Sequence, residues 1–360
     1  MKFKLTMAWF AIACLAISLS PLITTNVEGR SDGLSEKQRH ESGKTQEKSD
    51  AKTRNNEQVN TLAGQPFLWE EPSDIERRDL FYGPGGRQGA PDPAGKFTFI
   101  RRSTSGTQKK IIVKDGMGRE WTVKFGPEAK PETTAARIVW AVGYHVDQNY
   151  FVKQARIEGY EAPLVQNVRF ERRDDGSEEA GNWSWESNPF VGTRELEGLK
   201  VLIALLKNWD LKTSNNKIVL RKPPGGPTRR VYFVGDLGAT LGATGSFLNE
   251  VPLLGDLPPD RTLGLTPKRG KGNPEAFSKE AFIKDVRNGE VIFNHERKRG
   301  RKVLKGVTVE NAGWMGNLLA RLSDKQLADA FRAGGFNESE TAIYVRTMRD
   351  RIRQLQNLAE

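Results

Sequence analysis

The sequence predicts an α+β fold in which a strand-rich region comes first and a larger, mainly helical region follows. Short segments rich in Ile, Val, Phe and Trp, separated by turn residues, occupy the chain from Phe97 to Phe170. Apolar residues then recur at helical spacing over Leu199–Trp209 and Val345–Leu355. Capping-box patterns, which mark helix starts, begin at Ser323 and Asn337. We therefore expect two lobes with a cleft between them, where ligands commonly bind.

The order of these signals divides the chain into four segments. Lys2 and Lys4 precede an apolar run, so residues 1–27 are expected to be a signal peptide or a retained membrane anchor. Residues 28–62 contain almost no apolar side chains, which predicts a disordered polar linker. The first lobe is expected over 63–170 and the second over 171–360. Either reading of the N-terminal segment predicts an exported protein, periplasmic or extracellular, and the second keeps it anchored to a membrane.

Composition limits the chemistry. Cys14 is the only cysteine, so a mature chain that had lost it would have no disulfide, zinc thiolate or cysteine nucleophile. The three histidines are scattered, and a metal would therefore need oxygen ligands, which suit magnesium or manganese. The net charge of +11 is concentrated in Lys268–Lys271 and Arg297–Lys302. These tracts form either a solvated basic face or a contact for an anionic surface, and they lack the interleaved aromatic residues of a nucleic-acid interface.

Three strands open the first lobe, and a helix follows them. The strands are expected over Phe97–Arg101, Lys110–Lys114 and Glu120–Phe125, with Asp115-Gly116 as a hairpin signal. The helix starts near Pro131 and ends at Gly143. A less distinct strand pair is expected over Gln154–Ile157 and Pro163–Phe170, followed by an exposed loop over Glu171–Asn182.

A long helix capped by Thr193 leads to the residues with the clearest chemical potential. It ends near Asn208, and a hairpin follows with strands over Lys217–Arg221 and Arg230–Val234. Because antiparallel strands return the chain to its starting point, Asn215 and Asp236 are expected at the same end of this hairpin. There an amide oxygen and a carboxylate can share a magnesium ion that bridges nucleotide phosphates. Asp210, on the preceding loop, can accept a proton from an attacking hydroxyl group.

These motifs resemble those of protein kinases. Asp210–Asn215 resembles the catalytic loop D-L-K-x-x-N, Asp236-Leu237-Gly238 resembles D-F-G, and Thr122-Val123-Lys124 resembles V-A-I-K. The motifs lie in the kinase order and span about Lys96–Gly242. The likeness is to atypical members of the superfamily, namely phosphatidylinositol-kinase-like, HipA-like and secretory-pathway kinases.

The resemblance implies a two-lobed kinase-like fold with a small antiparallel sheet and one helix in the first lobe. It implies ATP and Mg²⁺ (or Mn²⁺) as cofactors and a hydroxyl group on a protein, lipid or small molecule as the acceptor. It also implies a role for each matching residue: Asp210 is the base, Lys212 a charge near the transferred phosphoryl group, Asn215 and Asp236 the metal ligands, Lys124 the contact to the α and β phosphates, and Glu132 the ion-pair partner of Lys124.

The sequence departs from the kinase pattern in several places. Ser105 and Gly106 are the candidate phosphate contacts in a loop with one glycine where kinases have three. Asn208-Trp209 replaces the usual His-Arg before the catalytic aspartate, and no A-P-E motif follows. Two alternatives therefore stay open beside an active kinase-like enzyme. One is a pseudokinase that binds nucleotide or serves as a scaffold, and the other is an exported structural or adhesion protein.

Overall fold

A computed structural model describes residues 64–103, 108–173, 178–223, 225–242, 272–295 and 297–358. The predicted signal or anchor segment, the polar linker and the basic tract Lys268–Lys271 lie outside the described residues, as do Ser105 and Gly106. The described part of the chain has the expected α+β composition.

Strands form a barrel and two smaller sheets in the described residues. In chain order they are β1 (Gln65–Phe67), β2 (Phe97–Ser103), β3 (Lys110–Asp115), β4 (Glu120–Lys124), β5 (Asn149–Glu158), β6 (Leu164–Arg172), β7 (Glu178–Asn182), β8 (Asn216–Arg221), β9 (Arg229–Val234), β10 (Ile283–Arg287) and β11 (Glu290–Phe293).

The barrel has the order β2-β3-β4-β6-β5. Its neighbouring strands are antiparallel except at the closing pair, where Phe97 and Thr98 of β2 run parallel to Ile157 and Glu158 of β5. The expectation of a simple antiparallel sheet is therefore corrected to a closed barrel. The physical reason lies in β5, which is long enough to pair with β6 along most of its length and still reach β2 with its last residues. Closure of this kind removes exposed strand edges.

A second sheet has the order β1-β9-β8-β7, with β1 parallel to β9, and β10 and β11 form a separate hairpin. Strand β7 was not predicted, because its sequence Glu-Glu-Ala-Gly-Asn has no apolar alternation. The predicted exposed loop Glu171–Asn182 is wrong at both ends. Glu171 and Arg172 belong to β6, and Glu178–Asn182 pair with β8 as an edge strand.

Helices account for most of the later part of the described chain. They are α1 (Gly86–Gly89), α2 (Ala129–Ala141), α3 (Arg194–Leu205), α4 (Pro274–Lys279), α5 (Lys298–Val303), α6 (Val309–Ala320), α7 (Asp324–Ala333) and α8 (Glu338–Gln356). Thr193 accepts a hydrogen bond from the backbone of Leu196, and both predicted capping boxes are present at the starts of α7 and α8. Within the described ranges, no helix is both long enough and apolar enough to span a bilayer.

Two large apolar clusters hold these elements together. The barrel interior is filled by side chains such as Trp121, Val123 and Phe170, all fully buried. A larger cluster joins α2 and α3 to the later helices, with Leu202, Tyr344 and others at its centre. Helix α2 thus packs on the main helical core while strand β4, just before it, faces the barrel. The segment that connects β4 to α2 lies where these two cores meet.

Candidate functional site

Lys124, the last residue of β4, lies at the centre of a cluster of carboxylates. Its Nζ lies 2.6 Å from an oxygen of Glu128, 3.0 Å from Glu132 and 2.8 Å from Asp236. The lysine is 2% exposed. Burial disfavours its charge, but attraction to Glu132 and then to the other two carboxylates outweighs burial and raises the pKa of Lys124 above its ordinary value. The lysine is therefore a permanently charged, fixed ammonium group.

Helix α2 and the residue that caps its start supply two of these carboxylates, since only four residues separate the helix from the end of β4. Pro131 occupies its first turn, and Glu132 follows on the face turned toward the strand. The helix stops at Gly143, which has φ +101°, and a Cβ there would lie 2.3 Å from the carbonyl oxygen of Glu70. The predicted residues Lys124 and Glu132 are thus in direct contact.

Asp236 reaches the cluster from the hairpin β8–β9. The backbone N–H of Gly235 donates to the carbonyl of Asn215 at 3.0 Å, so the two ends of the hairpin meet as the strand order requires. A side chain at Gly235 would place its Cβ 2.7 Å from that carbonyl oxygen. Asp236 has φ +47°, and its carboxylate points back to Lys124. Burial works against ionisation of Asp236, but the neighbouring ammonium group outweighs it and lowers the pKa of this carboxyl.

Gly238 explains why a glycine ends the Asp236-Leu237-Gly238 motif. A Cβ at this position would lie 2.7 Å from Cβ of Glu128 and 3.2 Å from Oε2 of Glu132. Both neighbours are buried and held by Lys124, so they have little room to move. The glycine therefore allows the motif to approach helix α2 closely enough for Asp236 to reach the lysine.

The loop that carries Asp210 lies beside this segment. The backbone N–H of Trp209 donates to the carbonyl of Ala239 at 3.1 Å, which ties the loop to the chain just after Gly238. Asn215 donates its Nδ2 to the carbonyl of Asp210 at 2.7 Å, and Lys212 Nζ lies 2.8 Å from Oδ2 of Asp210. Because the amide nitrogen of Asn215 makes this bond, the oxygen Oδ1 is the atom of this side chain that can bind a cation.

Two residues from a later segment support the same loop. His295 donates from Nε2 to the carbonyl of Asn208 at 3.0 Å, and the guanidinium carbon of Arg297 lies 4.0 Å from the ring centroid of Trp209. Burial lowers the pKa of His295, so it is neutral at physiological pH. Asn208 and Trp209, which directly precede Asp210, are therefore each held by a side chain from this later segment.

The structure thus brings Lys124, Glu132 and Asp236 into one cluster and joins Asp210, Lys212 and Asn215 in the adjoining loop. The candidate phosphate contacts Ser105 and Gly106 lie outside the described residues. Three carboxylates, from Glu128, Glu132 and Asp236, place oxygens within 4.8 Å of one another, which is close enough for shared cation binding.

Sequence reasoning missed Glu128, Arg169 and three further charged residues. The second oxygen of Glu132 contacts Arg169, which also pairs with Glu171. Lys217 continues this chain of alternating charges, 3.9 Å from Glu171 and 2.5 Å from Asp147. Arg169 follows from strand register, because it lies directly opposite Lys124 in the β4–β6 pair, and Glu171 lies two residues further along β6. Lys217 and Asp147 come from outside this strand pair. Glu128 carried a local signal, since it lies four residues after the lysine.

A cavity of about 380 Å³ opens where this charged network reaches the surface between the barrel and β8. Its wall includes Asp147, Glu171 and Lys217. Burial and the charge of Glu171 raise the pKa of Asp147 to about 6.

Comparisons with known proteins give a likeness to solved structures and no match by sequence. No family model matches the chain, and no curated protein matches it. A crystal structure of a proinflammatory kinase, CtkA, from Helicobacter pylori is similar over 74% of this chain and 98% of that chain, with 12% sequence identity and a TM-score of 0.40. At that distance, function has to be inferred from the residues of the site itself.

Proposed function

We propose that this chain is an exported, kinase-like phosphotransferase with two lobes, which transfers the γ-phosphate of ATP to a hydroxyl-bearing acceptor. The observation that carries the proposal is the contact of Lys124 with both Glu132 and Asp236. These residues come from a strand, the helix after it, and a segment 112 residues further along the chain. Kinase chemistry uses a lysine paired with a glutamate and an aspartate close enough to hold a metal ion at the same phosphates, and these residues come in that order along this chain.

The residues of the cluster fit the binding of ATP and a divalent cation. Lys124 is a fixed positive charge for the α and β phosphates, and Glu132 orients it. Asp236 stays ionised beside the ammonium group, and Asn215 offers an amide oxygen, so both provide the oxygen ligands that magnesium or manganese prefers. Magnesium, when bound, would neutralise phosphate charge. Asp236 contacts Lys124 directly. When a nucleotide and its metal ion bind, this contact would have to lengthen or break, so that Lys124 can reach the phosphates and Asp236 the metal ion.

Asp210 is the proposed base. Its backbone is fixed from both sides, by the Nδ2 of Asn215 on its carbonyl and by Oδ1 of Asn208 on its N–H at 2.9 Å. A base held in this way can accept the proton of an acceptor hydroxyl as its oxygen attacks phosphorus. Lys212 lies exposed beside it, where its charge would face the transferred phosphoryl group.

The second candidate is a pseudokinase that binds nucleotide without catalysis. One observation favours it. The ammonium group of Lys124 already contacts the carboxylates of Glu128 and Asp236, so it competes with a metal ion for the same oxygens. An exported chain would also meet little ATP.

Two measurements test the proposal. MgATP should raise the melting temperature of the full chain by several degrees, and Asp236→Ala should abolish this shift. Transfer of radiolabel from γ-labelled ATP should fall by about 100-fold or more in Asp210→Asn, while Asp350→Asn on α8 keeps full activity. A shift without transfer would establish the pseudokinase. Absence of any shift would overturn both candidates and leave a structural protein.

A further inference from the structure

Arg137 is a buried cation with unsatisfied hydrogen-bond donors. It lies on α2, is 1% exposed, and donates from Nη2 to the carbonyl of Asn149 at 2.6 Å. Its Nε and Nη1 have no hydrogen-bond partner, and it forms no ion pair with any of the described residues. Buried guanidinium groups are normally paired or fully hydrogen-bonded, because an uncompensated charge is costly to remove from water.

Another buried arginine shows how the fold satisfies such a group elsewhere. Arg351 is 2% exposed and donates to the carbonyls of Leu205, Phe277 and Glu280 at 2.6, 2.8 and 3.1 Å. Its positive charge is therefore met by three carbonyl dipoles. Arg137 has one such carbonyl, although both side chains are equally buried.

The guanidinium group of Arg137 is held in a fixed orientation. Its Cζ lies 5.1 Å from the ring centroid of Tyr150, and on another side it packs on Gly83. Gly83 has φ +68°, and a Cβ there would lie 2.4 Å from both Cδ and Nε of Arg137. Burial lowers the pKa of Arg137 to about 10, although Tyr150 and the carboxylate of Asp79 partly offset it, so the group still carries its charge at neutral pH.

Arg137 also lines a cavity of about 580 Å³ that is open to solvent. This volume lies within the roughly 300–1,000 Å³ of small-molecule sites. The rest of the wall is mainly aromatic and aliphatic, and it includes Phe81, Tyr82, Pro91, Pro93, Phe151 and Val152. Arg87 adds a second cation that has no ion pair in the described ranges, and Asp92 is the one acidic residue among the described residues of the wall, so one positive charge is in excess. The cavity therefore combines an apolar wall with unmatched positive charge.

We propose that this cavity binds a small apolar carboxylate. The carboxylate supplies the counter-charge that Arg137 lacks, and the hydrocarbon or aromatic part of the ligand covers the apolar wall. Phe81, which is 43% exposed, loses its contact with water when the ligand is bound. The proposal does not depend on phosphotransfer, because none of the residues of the Lys124 cluster lines this cavity.

The test compares 3-phenylpropanoate with its uncharged amide, 3-phenylpropanamide, by isothermal titration calorimetry on the full chain. We expect saturable binding of the acid at one site and binding of the amide at least about 10-fold weaker, because a charge-assisted contact is lost. The variant Arg137→Met should bind the acid at least about 10-fold more weakly, whereas Arg353→Met, on the exposed face of α8, should bind it as the wild type does.

The variant Phe81→Ala tests the site without altering a buried group. It should weaken binding of the acid by about 3- to 10-fold, since apolar contact area is removed. Added MgATP should leave the affinity unchanged, which separates this site from the Lys124 cluster. Equal affinity for acid and amide, no binding of either, or unchanged affinity in both Arg137→Met and Phe81→Ala would overturn the proposal.

Discussion

Lys124 and Arg137 are both buried cations that contact or belong to helix α2, but their surroundings differ. Lys124 has three carboxylates within 3.0 Å, drawn from separate segments of the chain. Arg137 has a single carbonyl. A buried charge is tolerated only when other charges or dipoles offset its lost hydration. At Lys124 the chain itself supplies the offsetting charges. At Arg137 it supplies fewer of them, and a cavity lies beside the guanidinium group.

A third buried basic residue in this part of the chain, His145, is neutral and so has no buried charge to offset. His145 follows α2, and burial together with the charges of Arg221 and Arg229 lowers its pKa from 6.5 to about 4. It is therefore neutral where Lys124 and Arg137 are charged. Lys124 is thus a cation neutralised by carboxylates, Arg137 is a cation with only partial compensation, and His145 is a base that stays uncharged.

The largest expected effect belongs to Lys124→Met. Removing the ammonium group leaves the buried carboxylates of Glu128 and Glu132 facing each other and the partly exposed carboxylate of Asp236, and we expect a loss of about 3 to 5 kcal/mol in the free energy of unfolding. Chemical denaturation measures it. Divalent cations should restore part of the stability because the carboxylate oxygens lie within 4.8 Å of one another. The control Lys124→Arg keeps the positive charge, and its free energy of unfolding should decrease less than that of Lys124→Met. A variant as stable as the wild type would show that the carboxylates do not depend on the lysine.

A smaller effect is expected at His145 and depends on pH. Because its pKa is about 4 in the folded state and 6.5 otherwise, the unfolded chain binds more protons between these values. The free energy of unfolding should therefore fall as pH decreases from 6.5 to 4, by about 1 to 3 kcal/mol from this residue.

Denaturation curves of His145→Gln across that window should show a shallower decrease. His295, whose pKa is also lowered by burial, and carboxyl groups with shifted pKa values such as Asp147 and Asp236 contribute to the slope that remains. An identical pH dependence in the variant and the wild type would contradict the neutral state assigned to His145.

The smallest change is expected for Arg137→Met in the absence of ligand. Replacing an uncompensated cation by an apolar side chain of similar length should leave the free energy of unfolding within about 1 kcal/mol of the wild type, or raise it. Arg351→Met is the matched comparison. Since it removes three hydrogen bonds to carbonyls, it should cost about 2 to 4 kcal/mol. Equal decreases in the free energy of unfolding of the two variants would show that Arg137 is compensated as well as Arg351 is.

Local signals made much of this fold predictable. The strand ending in Lys124, the helix after it and the hairpin before Asp236 each carry their own turn or cap residues, and each was placed within a few residues. Barrel closure was not predictable in this way. It depends on the length of β5 and on the parallel pairing of Phe97 with Ile157, which no short stretch of sequence reveals.

In the candidate site, the residues that belong to sequence motifs were predictable and the others were not. From the order of the motifs, an ion pair between Lys124 and Glu132 was expected, whereas Asp236 was expected as a metal ligand and its direct contact with Lys124 was not. Arg169 and Lys217 are polar residues in strands with nothing local to distinguish them; strand register places Arg169 opposite Lys124, and only the tertiary fold brings Lys217 to Asp147 and Glu171. Arg137 lies among buried apolar residues of α2, and only the coordinates show which of its nitrogens lack partners.

The alternating charges that run from Asp236 to Asp147 have a consequence for the order in which ligands arrive. Five carboxylates (Glu128, Glu132, Asp147, Glu171 and Asp236) face three cations (Lys124, Arg169 and Lys217) within this network. The network as a whole therefore repels a bare polyphosphate and matches the charge of a single divalent ion. Under the proposed function, a nucleotide should therefore enter as its metal complex, and free ATP should compete poorly against MgATP.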